Sequence, residues 1–157
     1  MTTMRATSMS FSRTIYRLHE AFVEWSAALP LSIVQLASRI AVAEVFWQSA
    51  QTKLASWPVT LQLFAFEYRL PLLDPGLAAI MATTAELSGA AMLALGLLAR
   101  LASMMLLGVV ATIQVFVYPD HWAEHLMWTS LLLLILSRGP GGLSVDHLVA
   151  CRIRAGG

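Results

Sequence analysis

The stretch Gly76-Leu-Ala-Ala-Ile-Met-Ala-Thr-Thr-Ala-Glu86-Leu-Ser-Gly-Ala-Ala-Met-Leu-Ala-Leu-Gly-Leu-Leu98 decides the fold. It holds a single ionisable side chain, Glu86, in a run long enough to cross a hydrocarbon core, which takes about 20 apolar residues as a helix. Ala79, Glu86 and Leu93 recur every seven residues and lead on to Arg100, with Ala82, Gly89 and Gly96 in a row beside them. Small residues let helix backbones approach closely in lipid, where apolar burial alone does not drive helices together. The seam therefore marks the packed side of this helix and points Glu86 inward.

Working outward, three further stretches approach the length of a span. Leu31 to about Lys53 contains Arg39 and Glu44. Leu101–Val117 is nearly uncharged, and Ala123–Ser137 is short, with His125 at its start. Only Ala99-Arg100 joins the second and third spans, and so short a link forces an antiparallel hairpin. Ser56–Pro75, with Trp57, Phe64, Tyr68 and three prolines, is too apolar for a plain loop and too broken for a span. It reads as an interfacial or partly re-entrant cap, the depth that Trp and Tyr favour. Arg138-Gly-Pro-Gly-Gly142 is a turn, because its residues break helices, and Ser144–Arg154 reads as a polar tail.

Upstream of the first span, residues 1–10 are polar and mostly small. Phe11, Ile15, Leu18, Phe22, Trp25 and Leu29 then recur at alternating steps of four and three, with Arg13, Arg17, Glu20 and Glu24 between them. That is the pattern of an amphipathic helix, too charged for the continuous apolar core of a signal peptide. We read it as a helix lying in the membrane interface, ended by Pro30. The expected architecture is an all-α membrane protein, a four-transmembrane-helix bundle with an N-terminal amphipathic interfacial helix. Its parts are a polar N-terminus and interfacial helix (1–30), a membrane domain (31–148; spans about 31–53, 76–98, 101–117 and 123–137) and a cytoplasmic tail (149–157).

Composition agrees. Of 157 residues, 58% are hydrophobic and 12% charged, against roughly 25% charged in soluble domains. A water-soluble domain this small could not hide so much apolar surface, and disorder has the opposite signature. The formal charge is +1 with no basic block, so nucleic-acid binding has no electrostatic footprint. Cys151 is the single cysteine, which rules out thiol–disulfide chemistry within this chain. With four spans, the side of the termini collects Arg5, Arg13, Arg17, Arg100, Arg138, Arg152 and Arg154, and the other side only Lys53 and Arg69. The excess of positive charge predicts both termini in the cytoplasm.

Arg39, Glu44 and Glu86 are the chemical clue. Each costs about 2.5–3.5 kcal/mol at a helix centre, so they are expected to face the bundle interior and pair. Arg39 and Glu44, five apart, sit about 140° apart around a helix and pair poorly, so Arg39 is expected to reach Glu86. Glu44 and Gln48, four apart, share a face. Gln114 on the third span, and His125 with Thr129 on the fourth, add polar positions. The intramembrane polar candidates are therefore Arg39, Glu44, Gln48, Glu86, Gln114 and His125. His121-Trp-Ala-Glu124-His125 fits the inverted zinc-protease pattern, but that mechanism needs both histidines on one helical face with a further ligand beyond, and Pro119 and Asp120 instead suggest a helix start here, with Asp120 as N-cap. We expect no metal site.

Several stretches resemble the DoxX family of small bacterial membrane proteins. They are Arg39-Ile-Ala-Val-Ala43 with Phe46-Trp-Gln-Ser49 and Lys53; Leu63-Phe64 through Glu67-Tyr-Arg-Leu-Pro71; Ala85-Glu86-Leu87; Leu95-Gly-Leu97 with Arg100; Gln114-Val-Phe-Val-Tyr-Pro-Asp120; His125-Leu-Met-Trp128; and Arg138-Gly-Pro-Gly141 with Leu143-Ser-Val-Asp-His147. They cover about residues 35–148; the N-terminal helix lies outside. The resemblance implies a four-helix bundle in the bacterial cytoplasmic membrane. Members are described as oxidoreductases or quinol oxidase subunits, and some are linked to stress responses or to metal-handling neighbours.

Three readings follow. In the first, the chain is an accessory subunit of a membrane redox or stress-response system that binds a quinone among its helices. Glu86 and Arg39 then contact the headgroup, with Gln114 or His125 as further hydrogen-bond donors, and a partner protein or a second copy completes the system. The chain carries no flavin motif or dithiol of its own, so electrons come from the partner. In the second, it is a non-enzymatic component for small-solute or metal handling, with Glu44 and Glu86 as ion or proton groups. In the third, it is a helical scaffold.

Overall fold

The computed structural model describes residues 16–71 and 73–156. They are all-helical, with no strand among them. The chain divides into two compact units, Met1–Leu31 and Ser32–Gly157. In the first, α1 (Tyr16–Ala27) carries Leu18, Phe22 and Trp25 of the amphipathic pattern, with the Phe22 and Trp25 rings 6.1 Å apart. Phe11, Ile15 and the polar 1–10 segment lie outside the described residues.

The second unit is a bundle of helices. α2 is Leu31–Ala55. α3 is Trp57–Gln62, started by Pro58 and continued by a wide π-type turn over Leu63–Tyr68. α4 is Pro75–Leu95, α5 is Ala99–Thr112 with a π-type turn over Ile113–Val117, α6 is Trp122–Arg138 and α7 is Val145–Ala155. Pro75–Leu95 and Ala99–Val117 are each long and apolar enough to cross a membrane, and three spans result if Tyr16–Ala27 is counted together with Leu31–Ala55.

The helices begin and end where local chemistry directs. The Asp74 carboxylate accepts from Gly76 N and Leu77 N at 3.0 and 3.1 Å and caps α4, with Pro75 in the first turn, where its missing N–H is not needed. Gly96 ends α4 in the left-handed conformation (φ +67), the usual device for satisfying the last carbonyls. A Cβ there would also lie 1.7 Å from Arg39 Nη1, so the position admits only glycine. The α4–α5 hairpin turns on Gly96–Leu98, slightly earlier than the expected Ala99-Arg100 link. The expected polar tail is instead a helix: Ser144 Oγ accepts from His147 N at 3.2 Å, with Asp146 in the first turn and Arg152 and Arg154 in the last, complementing the helix dipole. Asp146 also accepts from Leu98 N and Ala99 N at 2.7 and 3.0 Å, so α7 caps the N-terminus of α5.

The seam on α4 is the packed face: Ala79, Glu86 and Leu93 are fully or almost fully buried. Gly89 lets Leu106 of α5 approach so closely that a Cβ would sit 2.8 Å from its side chain. The core joins Val42 and Phe46 of α2, Ala90 and Leu93 of α4, Ala102 and Leu106 of α5, and Leu132 and Ile135 of α6. Asp120 does not cap α6. Tyr118, Pro119 and Asp120 form a turn closed by His121 N to Tyr118 O at 3.2 Å, which moves the N-cap to His121.

Candidate functional site: an apolar cavity beside a buried ion pair

On α2 the residues Gln35, Arg39, Val42, Phe46, Ser49 and Lys53 follow steps of four and three, which places them on one helical face. The face ends at Lys53. Its ammonium donates to both carboxylate oxygens of Glu86, at 2.8 and 2.7 Å, and to Ser49 Oγ at 2.8 Å. The ammonium is thus held by two side chains, the Glu86 carboxylate and the Ser49 hydroxyl. The side chains are 16% and 1% exposed, so this is a buried pair.

The expected Arg39–Glu86 pair does not form. Arg39 and Lys53 are fourteen residues apart, roughly 21 Å along the helix axis, and Lys53 is the cation level with Glu86. Arg39 sits at the other end of the bundle, where its Nη2 donates to Leu143 O, while its buried Nε and Nη1 have no partner among the described residues. Beside it Gln35 Nε2 donates to Gly139 O at 3.0 Å and pins the loop between α6 and α7. Glu44 also departs from expectation. It is exposed, as the 140° offset from Arg39 dictates, and accepts from Gln48 Nε2 at 2.6 Å on the same outer face. Of the three charges expected within the membrane, two point inward and one does not.

The Lys53–Glu86 pair lies in the wall of a cavity of about 580 Å³ bounded by α2, the π-type turn after α3, α4, α5 and α6. Ligand pockets commonly measure 300–1,000 Å³ and combine apolar walls with a few placed polar groups. Here Phe46, Phe64, Leu70, Met81, Val109 and Trp128 supply apolar wall. The polar groups are Ser49, Lys53 and Glu86 in one part, and Tyr68, Thr112, Tyr118, His121, Glu124 and His125 in the rest.

The second polar group is built on the π-type turn of α5. The wide turn, with Tyr118 N bonded to Ile113 O at 2.8 Å, presents Gln114 toward α6. Gln114 Nε2 donates to Pro119 O at 2.6 Å, and its Oε1 bonds His125 Nδ1. The Tyr118 and Tyr68 hydroxyls are 3.5 Å apart. Burial first, and then this bond, push the Tyr68 phenol above its ordinary value, so it stays a neutral donor. Rings run on from there: Tyr118 to His121 at 5.3 Å, His121 to His125 at 6.4 Å and His125 to Trp128 at 5.3 Å between centroids.

The six sequence candidates thus separate. Glu86 and His125 line the cavity, Gln114 stands behind His125, Arg39 lies at the far end, and Glu44 with Gln48 faces outward. Sequence reasoning missed Lys53, Ser49, Tyr68 and Tyr118. For the first two the signal was the four-three stripe on α2, which continues from Arg39 through Phe46 to Lys53. No signal in the sequence foretold the tyrosine pair.

Fold and site together define a class: a helical, membrane-type protein whose bundle buries an ion pair beside an apolar cavity. The chain belongs to the DoxX family. The DoxX family model matches residues 34–119, more than half of the chain, from the start of the α2 face to the turn before α6. No curated protein and no solved structure matches the chain.

Proposed function

We propose that this DoxX protein is a quinone-binding accessory subunit of a membrane redox or stress-response system. In this reading the chain crosses the bacterial cytoplasmic membrane four times with both termini inside, and α1 lies along the interface. The observation that carries the reading is the cavity of about 580 Å³, apolar over most of its wall, with the Lys53–Glu86 pair and the hydrogen-bonding groups of Tyr68, Tyr118 and His125 in its lining. A bound quinone supplies two-electron, two-proton carbonyl chemistry. Phe46, Phe64 and Trp128 would hold its ring, and the Tyr68–Tyr118 hydroxyls would donate to an oxygen. Lys53 and Glu86 cancel each other's charge, which favours a neutral ligand over an anion. Arg39 has no part in this site. The outward Glu44–Gln48 pair supports a protein neighbour, because a carboxylate facing lipid is costly.

The test is direct. Protein purified in mild detergent should carry quinone detectable by absorbance and mass spectrometry. The Tyr68→Phe/Tyr118→Phe variant, which removes the two hydroxyls and keeps the apolar wall, should carry much less. A quinone-free preparation that also ignores added short-chain quinone would overturn the proposal.

A further inference from the structure

The hydrogen bonds around His125 restrict which ligand the cavity accepts. Pro119 O can only accept, so the group of Gln114 facing it is the NH2. The remaining amide oxygen, Oε1, therefore faces His125 Nδ1. An amide oxygen only accepts, so Nδ1 carries the hydrogen. In the neutral ring the lone pair is then on Nε2, since one imidazole nitrogen donates and the other accepts. His125 is 4% exposed, yet Nε2 is not one of the sealed, unpartnered atoms, which among the described residues are Arg39 Nε and Nη1. His125 lines the cavity, and its Nε2 has no protein partner there among the described residues.

We infer that His125 Nε2 is the group by which the cavity selects a ligand bearing an aromatic hydroxyl, a phenol or hydroquinone, over the same ring without a donor. The inference rests on the cavity being a ligand site. It reverses the expected role of His125, which is an acceptor rather than a donor, and makes Gln114 a positioning residue that holds the tautomer. The ring requirement comes from the walls. Trp128 lies against His125 at 5.3 Å between centroids and meets Phe46 edge-on at 6.0 Å. An apolar ring is favoured there, and an O–H on it meets the lone pair that the Gln114 bond leaves on Nε2. In a redox role the cavity would hold the reduced, hydroxyl-bearing form more tightly than the quinone.

The experiment uses the full chain in detergent and two probes of nearly equal shape, 2-naphthol and 2-methoxynaphthalene, titrated against tryptophan fluorescence. One neutral hydrogen bond predicts that wild type prefers naphthol roughly three- to tenfold. His125→Phe should bind both probes alike, near the wild-type affinity for the ether. Gln114→Leu, the second variant, should narrow the preference by freeing the tautomer. Excited naphthol bound to wild type should also emit as naphtholate, by proton transfer to Nε2, and lose that band in His125→Phe. Equal binding of both probes by wild type would overturn the inference and leave the cavity reading standing. A preference that survives in His125→Phe would do the same. If neither probe binds wild type, the cavity reading falls with it.

Discussion

Lys53 and Glu86 are a pair whose worth depends on both members being present. Taking two charges out of water costs several kcal/mol each, and their attraction with good geometry roughly offsets this. Removing one leaves the other stranded. Lys53→Met alone is therefore expected to lose about 3–5 kcal/mol in denaturant unfolding in detergent, while Lys53→Met/Glu86→Leu should return to within about 1 kcal/mol of wild type. A double variant as weak as the single one would show that the pair does not act as a unit. Half of this pair was legible in the sequence: one carboxylate in a long apolar run must face inward. Its partner was not. A lysine at the end of a span reads equally well as an orientation charge. Which cation is level with Glu86 depends on the stagger between α2 and α4, and no spacing along one helix encodes that.

Between elements, the glycines show where approach is close and where it is not. Gly89 admits Leu106 to the α4–α5 contact, where an added Cβ would lie 2.8 Å from that side chain. Gly108 on α5 has nothing within 4 Å of the same construction. Gly89→Ala is thus expected to cost about 1–3 kcal/mol through overpacking. Gly108→Ala should be neutral or stabilise by up to about 1 kcal/mol, since alanine is the better helix former. Thermal unfolding of the two variants side by side checks this; equal losses would contradict the packing. The small-residue row on α4 was visible in the sequence, as was the helical character of the four apolar stretches. The π-type turns at Leu63–Tyr68 and Ile113–Val117 were not. Nothing in their composition marks a widened turn, and it is this widening at Ile113–Val117 that brings Gln114 to His125. The cap that Asp146 places on α5 was equally hidden, because it joins residues 47 and 48 positions apart.

For the whole molecule, the proposed orientation has a simple readout, because Cys151 is the only cysteine and is exposed. In inverted membrane vesicles a membrane-impermeant maleimide should label it, and in intact spheroplasts it should not. Asp120→Cys in a Cys151→Ser background should show the reverse. Labelling of both positions from the same side would overturn four spans with cytoplasmic termini.

The sequence by itself determined the class of molecule: scarce charge and long apolar runs leave the backbone no choice but helices that satisfy their own hydrogen bonds. It also determined that Glu86 lies inside. Tertiary structure alone decided that Glu86 meets Lys53 and not Arg39, that Glu44 faces out, and that His125 presents a lone pair to a cavity. Periodicity reports which face of one helix is apolar. A site is made by the stagger and spacing of several helices, and those are set by side chains far apart in the chain packing against one another.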